Sequence, residues 1–351
     1  MGSSYLNAVV IDGSMGEGGG QIVRTALGLG IALGKAVQVV NIRAKRRNPG
    51  LRPQHLAAIR ILSSLCDGRV ENLGVGSTEF TFIPGPIDLR PINFDIGSAG
   101  SITLLLQAII PAVALCKEPL DLRIIGGTDV NWSPTSEYFR HVVVPAFRSI
   151  GLAVEMNVVR RGYYPKGGGE VEVRISPTSA IHCLETQDRE FNSVISVSIC
   201  SELSISIAER QQIAAEEILS KNGINIRNQT RVEPANSPGT SIAICCLEGQ
   251  GPFIGADSIG ERGKTAEKVG TEAALDFLSE KRSKASVDSH LGDMLIPLLS
   301  LSSEESRFSV SKVTDHLTTN LRLASTLTGV IYKIEEAEGQ PPFVSMKPRR
   351  G

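Results

Sequence analysis

The chain predicts an α+β protein made of α/β-type repeats, with a smaller α+β unit inserted before the last repeat. Three observations carry this. A glycine-rich turn feeding an apolar helix occurs at residues 12–33 and returns at 97–115. The order β-α-β-α-β-β recurs with a period of roughly 80–90 residues, too long for a solenoid unit, so small sheets packed side by side are expected. Composition shifts at Ser176-Pro-Thr-Ser179, and the pattern from Ile181 to Arg282 differs, over a length normal for a small domain. The expected organisation is two repeats in residues 1–180, an inserted domain in 181–282 and a third repeat in 283–351.

Each element has its own reason. In the first repeat, the β-branched run 8–11 reads as a strand, and 22–33 carries helical apolar spacing. Residues 36–42 alternate as a strand, 55–65 form a helix and 77–84 a closing strand. In the second, a turn at 97–101 opens the helix 102–115, followed by strand 120–126, a polar loop with the single tryptophan, and helix 138–150. Strands 152–160 and 170–175 flank the turn 162–169. In the insertion, strands are expected at 192–200, 224–233, 240–248 and 253–258, with helices at 207–222 and 265–281. In the third repeat, a helix is expected over 286–300, a strand at 308–312, a lead-in at 314–320, a helix at 321–328 and a strand at 330–335. The basic tail 341–351 reads as frayed.

Composition bounds the function. The 351 residues are 41% hydrophobic and 21% charged, with a formal net charge of -1, so no global attraction to nucleic acid exists and a polyanion must meet a local patch. The six cysteines are scattered without C-x-x-C spacing, which reads as reduced thiols in an intracellular compartment. No apolar run reaches membrane length. Gly2 is followed by Leu6 where a myristoylation signal needs Ser or Thr.

The chemistry-bearing residues cluster at turns. Between the first strand and helix lies Asp12-Gly-Ser-Met-Gly-Glu-Gly-Gly-Gly-Gln21, with Arg24 one turn on. Glycines there let a ligand approach the backbone, and a helix N-terminus offers free N–H groups to an anion. The stretch lacks G-x-x-x-x-G-K-[ST], so it is not a P-loop; a purely structural turn is the plain alternative. Arg43-Ala-Lys-Arg-Arg-Asn-Pro-Gly-Leu-Arg52 is basic without an acid, and is either a solvated loop or a phosphate site. Gln107 sits among apolar helix residues as a satisfied core amide or a ligand contact. His290 and Asp293, one helical turn apart, share a face, though ligands for a zinc site are wanting. His316, beside Asp315 and ahead of Thr318, Thr319 and Asn320, is either a helix-start residue or a nucleophile whose neutral imidazole can attack phosphorus.

Taken together these residues resemble the RNA 3′-terminal phosphate cyclase family. The resemblance rests on Asp12-Gly-x-x-Gly-Glu-Gly-Gly-Gly-Gln-x-x-Arg24, Ile42-Arg-Ala, Pro49-Gly-Leu51, Gln54-His55, Gly97-Ser-Ala-Gly-Ser101, Gly126-Gly-Thr-Asp129, Tyr164-Pro-x-Gly-Gly-Gly169, His290-Leu-Gly-Asp293 and His316-Leu-x-Thr-Asn320, in order over nearly the whole chain. It implies a large domain of three β-α-β-α-β-β modules and an inserted small domain of thioredoxin-like topology. It also implies ATP-dependent conversion of an RNA 3′-phosphate to a 2′,3′-cyclic phosphodiester, through an enzyme-histidinyl-AMP and an RNA(3′)pp(5′)A intermediate. The histidine carried over is His316, and the ATP contacts fall on Gln107 and on His290, Leu291, Gly292, Asp293 and Met294. The family usually ends that short run Asp-Gln, whereas Met294 stands here. The candidates for holding the RNA phosphate are Arg24, Arg43, Arg46 and Arg52. Glu17, ahead of Asp293, is the candidate ligand for a divalent Mg²⁺ or Mn²⁺ that neutralises the triphosphate. Expected partners are RNA 3′-phosphate ends and ATP, without a membrane; a homodimer is compatible. The expected location is cytoplasmic, or nuclear in a eukaryote.

Three alternatives compete. A catalytically inactive cyclase-like ribosome-biogenesis scaffold would lack the nucleophile, which His316 supplies here. An enolpyruvyl-transferase-like enzyme would need other acidic and basic signatures. A generic RNA-binding module leaves the recurring glycine-rich turns unexplained.

Overall fold

The computed structural model describes residues 8–184, 191–247, 249 and 252–349. Gly2, Leu6, Glu248 and the last two residues of the tail lie outside them.

The first sheet follows the expected order. Val9–Asp12 (β1) leads through the glycine-rich turn into Gly20–Ala32 (α1), then Val37–Val40 (β2), Pro53–Leu65 (α2), Arg69–Glu71 (β3) and Phe80–Ile83 (β4). The strand order is β1-β2-β4-β3, with β1 parallel to β2 and the remaining pairs antiparallel. The second sheet repeats this wiring. Ile92–Asp95 (β5), Ile102–Val113 (α3), Leu120–Gly126 (β6) and Ser136–Tyr138 (α4) come first. A π-helical turn over Phe139–Val143, Val144–Ser149 (α5), Ala153–Arg160 (β7) and Gly169–Ser176 (β8) complete the unit. Its order is β5-β6-β8-β7, again with only the first pair parallel.

The insertion comprises Ser193–Ser201 (β9), Ile205–Lys221 (α6), Asn225–Val232 (β10), Gly239–Cys246 (β11), Gly255–Ile259 (β12) and Ala266–Arg282 (α7), with sheet order β10-β9-β11-β12. One face of this sheet packs Val194, Ile242 and Ile244 with Leu219 and Phe277 of its own helices. The other face gives Val197, Ile199, Ala243 and Cys245 to the main core. A sheet covered on both sides needs continuous apolar strands, which is why Ile242 to Cys246 does not alternate. The chain closes with Leu291–Leu299 (α8), Ser306–Ser309 (β13), Asp315–Thr328 (α9), Ile331–Glu335 (β14) and Phe343–Lys347 (β15), ordered β13-β15-β14. Val287 bridges Val310 in parallel, at the position beside β13 that β1 holds beside β2.

Several expectations change. The tail is not frayed: Val344 and Met346 are buried and pair with β13 and β14, an alternation hidden by the flanking basic residues. The last helix starts at Asp315 rather than at residue 321, because Thr314 caps it by accepting from Leu317 N–H at 3.0 Å. The helix expected from 286 begins at Leu291, since Val287 is held in a β-bridge and Asp288 caps the turn. β3 and β5, of three and four residues, were too short to show as alternation.

α1 is central. It packs against α2, α3 and α9, and is apolar nearly all round, as a helix covered on every side must be. A β-carbon at Gly28 would lie 2.7 Å from the Ala108 carbonyl of α3, so that close approach requires glycine.

A buried arginine adds a polar link between the second sheet's loops and the segment after β10. Arg161 donates to Asp129 at 3.1 Å, Glu137 at 2.5 Å and Glu233 at 2.7 Å. Arg161→Ala should therefore cost about 3–5 kcal/mol in urea unfolding, since it strands buried carboxylates; a loss below about 1 kcal/mol would contradict this. Burial alone would raise the pKa of Glu137, but His141 and Arg161 outweigh it and hold it at about 2. A depressed carboxylate stabilises above its unfolded value. This contribution should be complete above about pH 4.5 and disappear as pH falls toward 2, as acid titration of the unfolding free energy would show.

Candidate active site

The glycine-rich turn, the first turn of α1 and the N-terminal ends of α8 and α9 meet at one point. Gln21, directly after the glycines, is 6% exposed. Its amide nitrogen donates to Asp293 Oδ2 of α8 at 2.9 Å and to the His316 carbonyl of α9 at 3.1 Å. Both acceptors fix the amide orientation, which turns Gln21 Oε1 toward His316 Nδ1, with which it is hydrogen-bonded. A carbonyl oxygen only accepts, so the imidazole carries its proton on Nδ1 and leaves the Nε2 lone pair free. One turn along each helix a second contact repeats the junction. Thr25 Oγ1 donates to Asn320 Oδ1 at 2.8 Å, and Asn320 Nδ2 donates to the Asp293 carbonyl at 2.8 Å.

Burial lowers the His316 pKa, helped by Arg24, His290 and Arg46 and opposed by Glu17, so the ring is neutral near pH 7. Burial pushes the Asp293 carboxyl up to about 7 against the fields of His290 and Arg24. Met15, Glu17, Gly18, Gly19 and Thr319 complete the small cleft at His316. A side chain at Gly16, whose φ is +51°, would collide with Thr319, so glycine lets the turn close against α9. The N-terminus of α1 has no side-chain cap.

Beside this junction the charge is positive. Arg24 makes no hydrogen bond or ion pair among the described residues; burial brings its pKa to about 10, while Asp293 pulls the other way. It shares a narrow cleft with Gln54, Ala57, Gly100 and Ser101. Arg43 sits at φ +55° with a buried, unpartnered Nε, and burial with Arg46 and Arg52 lowers its pKa. His55 accepts the Arg52 N–H on Nδ1 at 3.0 Å, which places its proton on Nε2. That Nε2 is buried without a partner, close to Gly20 and Arg24. Burial, then Arg24, Arg43 and Arg52, bring the His55 pKa to about 3. Arg24 and the unpaired His55 Nε2 proton both lie beside Gly20.

The other expected residues divide. His290 precedes α8 and its field reaches Asp293. Leu291 and Met294 belong to the main core, so their side chains are packing. The N–H groups of His290 and Leu291 both donate to Asp288 Oδ1, at 3.0 and 2.7 Å, and that of Gly292 to the Asp288 carbonyl at 3.1 Å. Gln107 has a buried Nε2 without a partner, as a ligand contact would, but no hydrogen bond joins it to the junction. Arg46 is paired with Glu17 at 2.8 Å, so neither side chain is idle. No group of three metal-ligating side chains occurs among the described residues. Glu17 fits a divalent ion of the kind held by one carboxylate together with substrate phosphates, provided Arg46 yields. Among the described residues no helix is long and apolar enough to cross a membrane.

Gln21 and His55 entered the sequence reading only as part of the resemblance, with no role assigned, and Thr25 was not singled out. Their signal was present: Gln21, Arg24 and Thr25 are polar at i, i+3 and i+4 on an otherwise apolar helix. Imidazole NMR should find opposite neutral tautomers, Nδ1–H at His316 and Nε2–H at His55. A His55 pKa near 6.5 would refute the buried, cation-flanked environment. Because the His55 value is depressed on folding, its contribution to stability should be present above about pH 6.5 and fall away toward pH 3.

Comparison with known proteins identifies the family. A family model described as RNA 3′-terminal phosphate cyclase matches residues 15–334. The chain is 43% identical over 339 residues to the RNA 3′-terminal phosphate cyclase of Pyrococcus furiosus, covering 95% of this chain and 96% of that one. It is 40% identical over 351 residues to that of Methanopyrus kandleri, covering 98% and 99%. A solved EPSP synthase from Acinetobacter baumannii is 10% identical, with a TM-score of 0.32 over 97% of this chain and 48% of its own, a likeness too slight to bear on fold or function. A glycine-rich turn, a histidine held by an amide and an unpaired basic cleft thus occur in a chain that belongs to the RNA 3′-terminal phosphate cyclase family.

Proposed function

We propose that the protein uses ATP to convert an RNA 3′-terminal phosphate into a 2′,3′-cyclic phosphodiester, with His316 as the nucleophile. The observation that carries this is the Gln21 amide, which keeps the His316 proton on Nδ1 and leaves Nε2 open beside the glycine-rich turn. His316 Nε2 attacks the α-phosphorus of ATP, forming a P–N bond as the bond to diphosphate breaks. An oxygen of the RNA 3′-phosphate then attacks that phosphorus and displaces the imidazole, giving RNA(3′)pp(5′)A. The 2′-hydroxyl attacks the phosphorus borne by the RNA 3′-oxygen, loses its proton and expels AMP. A phosphate monoester has a poor leaving group; the adenylate supplies a good one, and the neighbouring hydroxyl attacks at high effective molarity.

The residues divide the work. The uncapped N-terminus of α1 and its glycines suit the triphosphate, and a divalent ion at Glu17 would neutralise its charge. Gln107 and His290 to Met294 are the proposed ATP contacts, with Leu291 and Met294 acting through backbone or packing. Arg24, Arg43, Arg46 and Arg52 would hold the RNA phosphate, with the His55 Nε2 proton directed at the same anion. We read the large unit as three like modules around α1, in residues 1–180 and 283–351. The order β10-β9-β11-β12, with one parallel pair, supports a thioredoxin-like insertion at 181–282.

Incubation with α-labelled ATP and Mg²⁺ or Mn²⁺ should put acid-labile, alkali-stable label on the protein and none on His316→Ala; labelled His316→Ala would eliminate the nucleophile, and an unlabelled wild type would favour a scaffold. Gln21→Leu should slow label uptake about tenfold or more by freeing the wrong tautomer; an unchanged rate would contradict the assigned role of the amide. Arg43→Ala should impair use of the RNA 3′-phosphate more than label uptake, and equal loss in both would remove Arg43 from the phosphate site.

A further inference from the structure

We propose that Trp132 and Tyr164 form a stacking surface for the unpaired nucleotides immediately upstream of the RNA 3′-phosphate, an inference that rests on the reaction proposed above. Trp132 is the only tryptophan of the chain and is 97% exposed, at φ +66°. A bulky side chain in the left-handed region, with its ring in water, does no packing work; such strain marks a position held for another purpose. The loop beneath the ring is pinned on both sides. Asn131 Nδ2 donates to Glu261 at 3.0 Å, Ser133 Oγ to the Val130 carbonyl at 2.7 Å, and Thr103 Oγ1 to the Pro134 carbonyl at 2.8 Å. The indole is thus presented from a fixed backbone, which reduces the ordering cost of binding.

Tyr164 is 77% exposed, in the turn between β7 and β8. The two aromatic loops share one end of the second sheet, where Gly126 of β6 pairs with Gly169 of β8. They are hydrogen-bonded to each other through Thr128 N–H to the Gly162 carbonyl at 2.9 Å and Gly162 N–H to Thr128 Oγ1 at 3.0 Å.

The surface is continuous with the basic cleft. Gly100 and Ser101 line the cleft that holds Arg24 and Gln54. Ala99, their neighbour, lies against both aromatic loops: β-carbons at Gly127 and Gly167 would come within 2.6 Å of its carbonyl and 2.7 Å of its Cα. Ser101 Oγ is also 2.9 Å from Thr103 Oγ1, the group that anchors the tryptophan loop. An RNA whose 3′-phosphate sat at Arg24 would leave across residues 97–101 toward the rings.

The chemistry selects single-stranded RNA as the occupant. Two isolated ring faces among Asn131, Ser133 and Lys166 offer no continuous apolar patch to a protein partner, whereas every base has a face to stack. Arg160 is paired with Glu170 at 3.4 Å and Lys166 donates to the Asn236 carbonyl at 3.4 Å, so upstream affinity comes from stacking more than from phosphate neutralisation. A wider depression of about 580 Å³ on the second sheet, lined by Asp121, Arg123, Glu172 and Arg174, has mixed charge and no such continuity.

The test uses the full chain with an oligoadenylate of ten nucleotides and a dinucleotide, both bearing 3′-phosphates. The decamer should quench the single tryptophan in the wild type, and a dinucleotide should do so far less. The KM for cyclisation should be about tenfold lower for the decamer. Trp132→Ala and Tyr164→Ala should each erase much of that length advantage, and Trp132→Phe should restore it; circular dichroism checks folding. Fluorescence needs no turnover, so it tests the surface even if ATP leaves no label on the wild type, the result that would instead remove the reaction. Absence of quenching, absence of a length advantage, or its survival in the Trp132→Ala Tyr164→Ala double variant would each overturn the proposal.

Discussion

A single carboxamide has two N–H groups and one carbonyl oxygen, and in Gln21 all three are engaged. Two acceptors, the Asp293 carboxyl and the His316 carbonyl, take the N–H groups, which leaves the oxygen for the imidazole. The contact spans 295 positions of sequence and joins α1 to α8 and α9. Because the Gln21 amide is buried, its bonds are stronger than they would be in water, and an unfilled partner would be costly. The glycine-rich turn makes it feasible. Bulk at Gly16 or Gly20 would force α9 or His55 away from α1.

The same helix sorts charge. From its first turn α1 offers Gln21 to the histidine side and Arg24 to the cleft beneath residues 97–101. On the first side, burial leaves His316 neutral and pushes Asp293 upward, so neither carries a fixed full charge near neutrality. On the second, among the described residues, Arg24, the Arg43 Nε and the His55 Nε2 proton lack hydrogen-bond partners, donors that an anion would satisfy. With a net charge of -1 the chain as a whole does not attract polyanions, so phosphate contact depends on a local basic cluster.

Much of this was legible in the sequence where local rules and tertiary demands agree. The turn before α1, the strand–helix order of the first two sheets and the composition change at the insertion follow from periodicity and glycine placement. The nucleophile candidate was legible because His316 sits in a polar helix start. The junction itself was not, because hydrogen-bond partners 295 residues apart leave no local trace. Gln21 could have been found from the polar stripe it forms with Arg24 and Thr25, had buried polarity been weighed against glycine abundance. The start of α9 was misplaced because Asp315 to Asn320 is polar, although Thr314 is a good cap. β15 was missed because basic residues masked an alternating Val344 and Met346. Leu291 and Met294 show the reverse limit: a motif can name a segment while its side chains face the core.

The central claim is that the Gln21 amide sets the imidazole so that Nε2 alone can react. The most direct measurement is the site of attachment on the adenylylated protein, read by phosphorus-coupled nitrogen NMR of ¹⁵N-histidine-labelled enzyme after reaction with ATP. The account predicts a phosphorus coupled to Nε2 of His316 and a proton retained on Nδ1. Adenylate on Nδ1, or on any other residue, would contradict it.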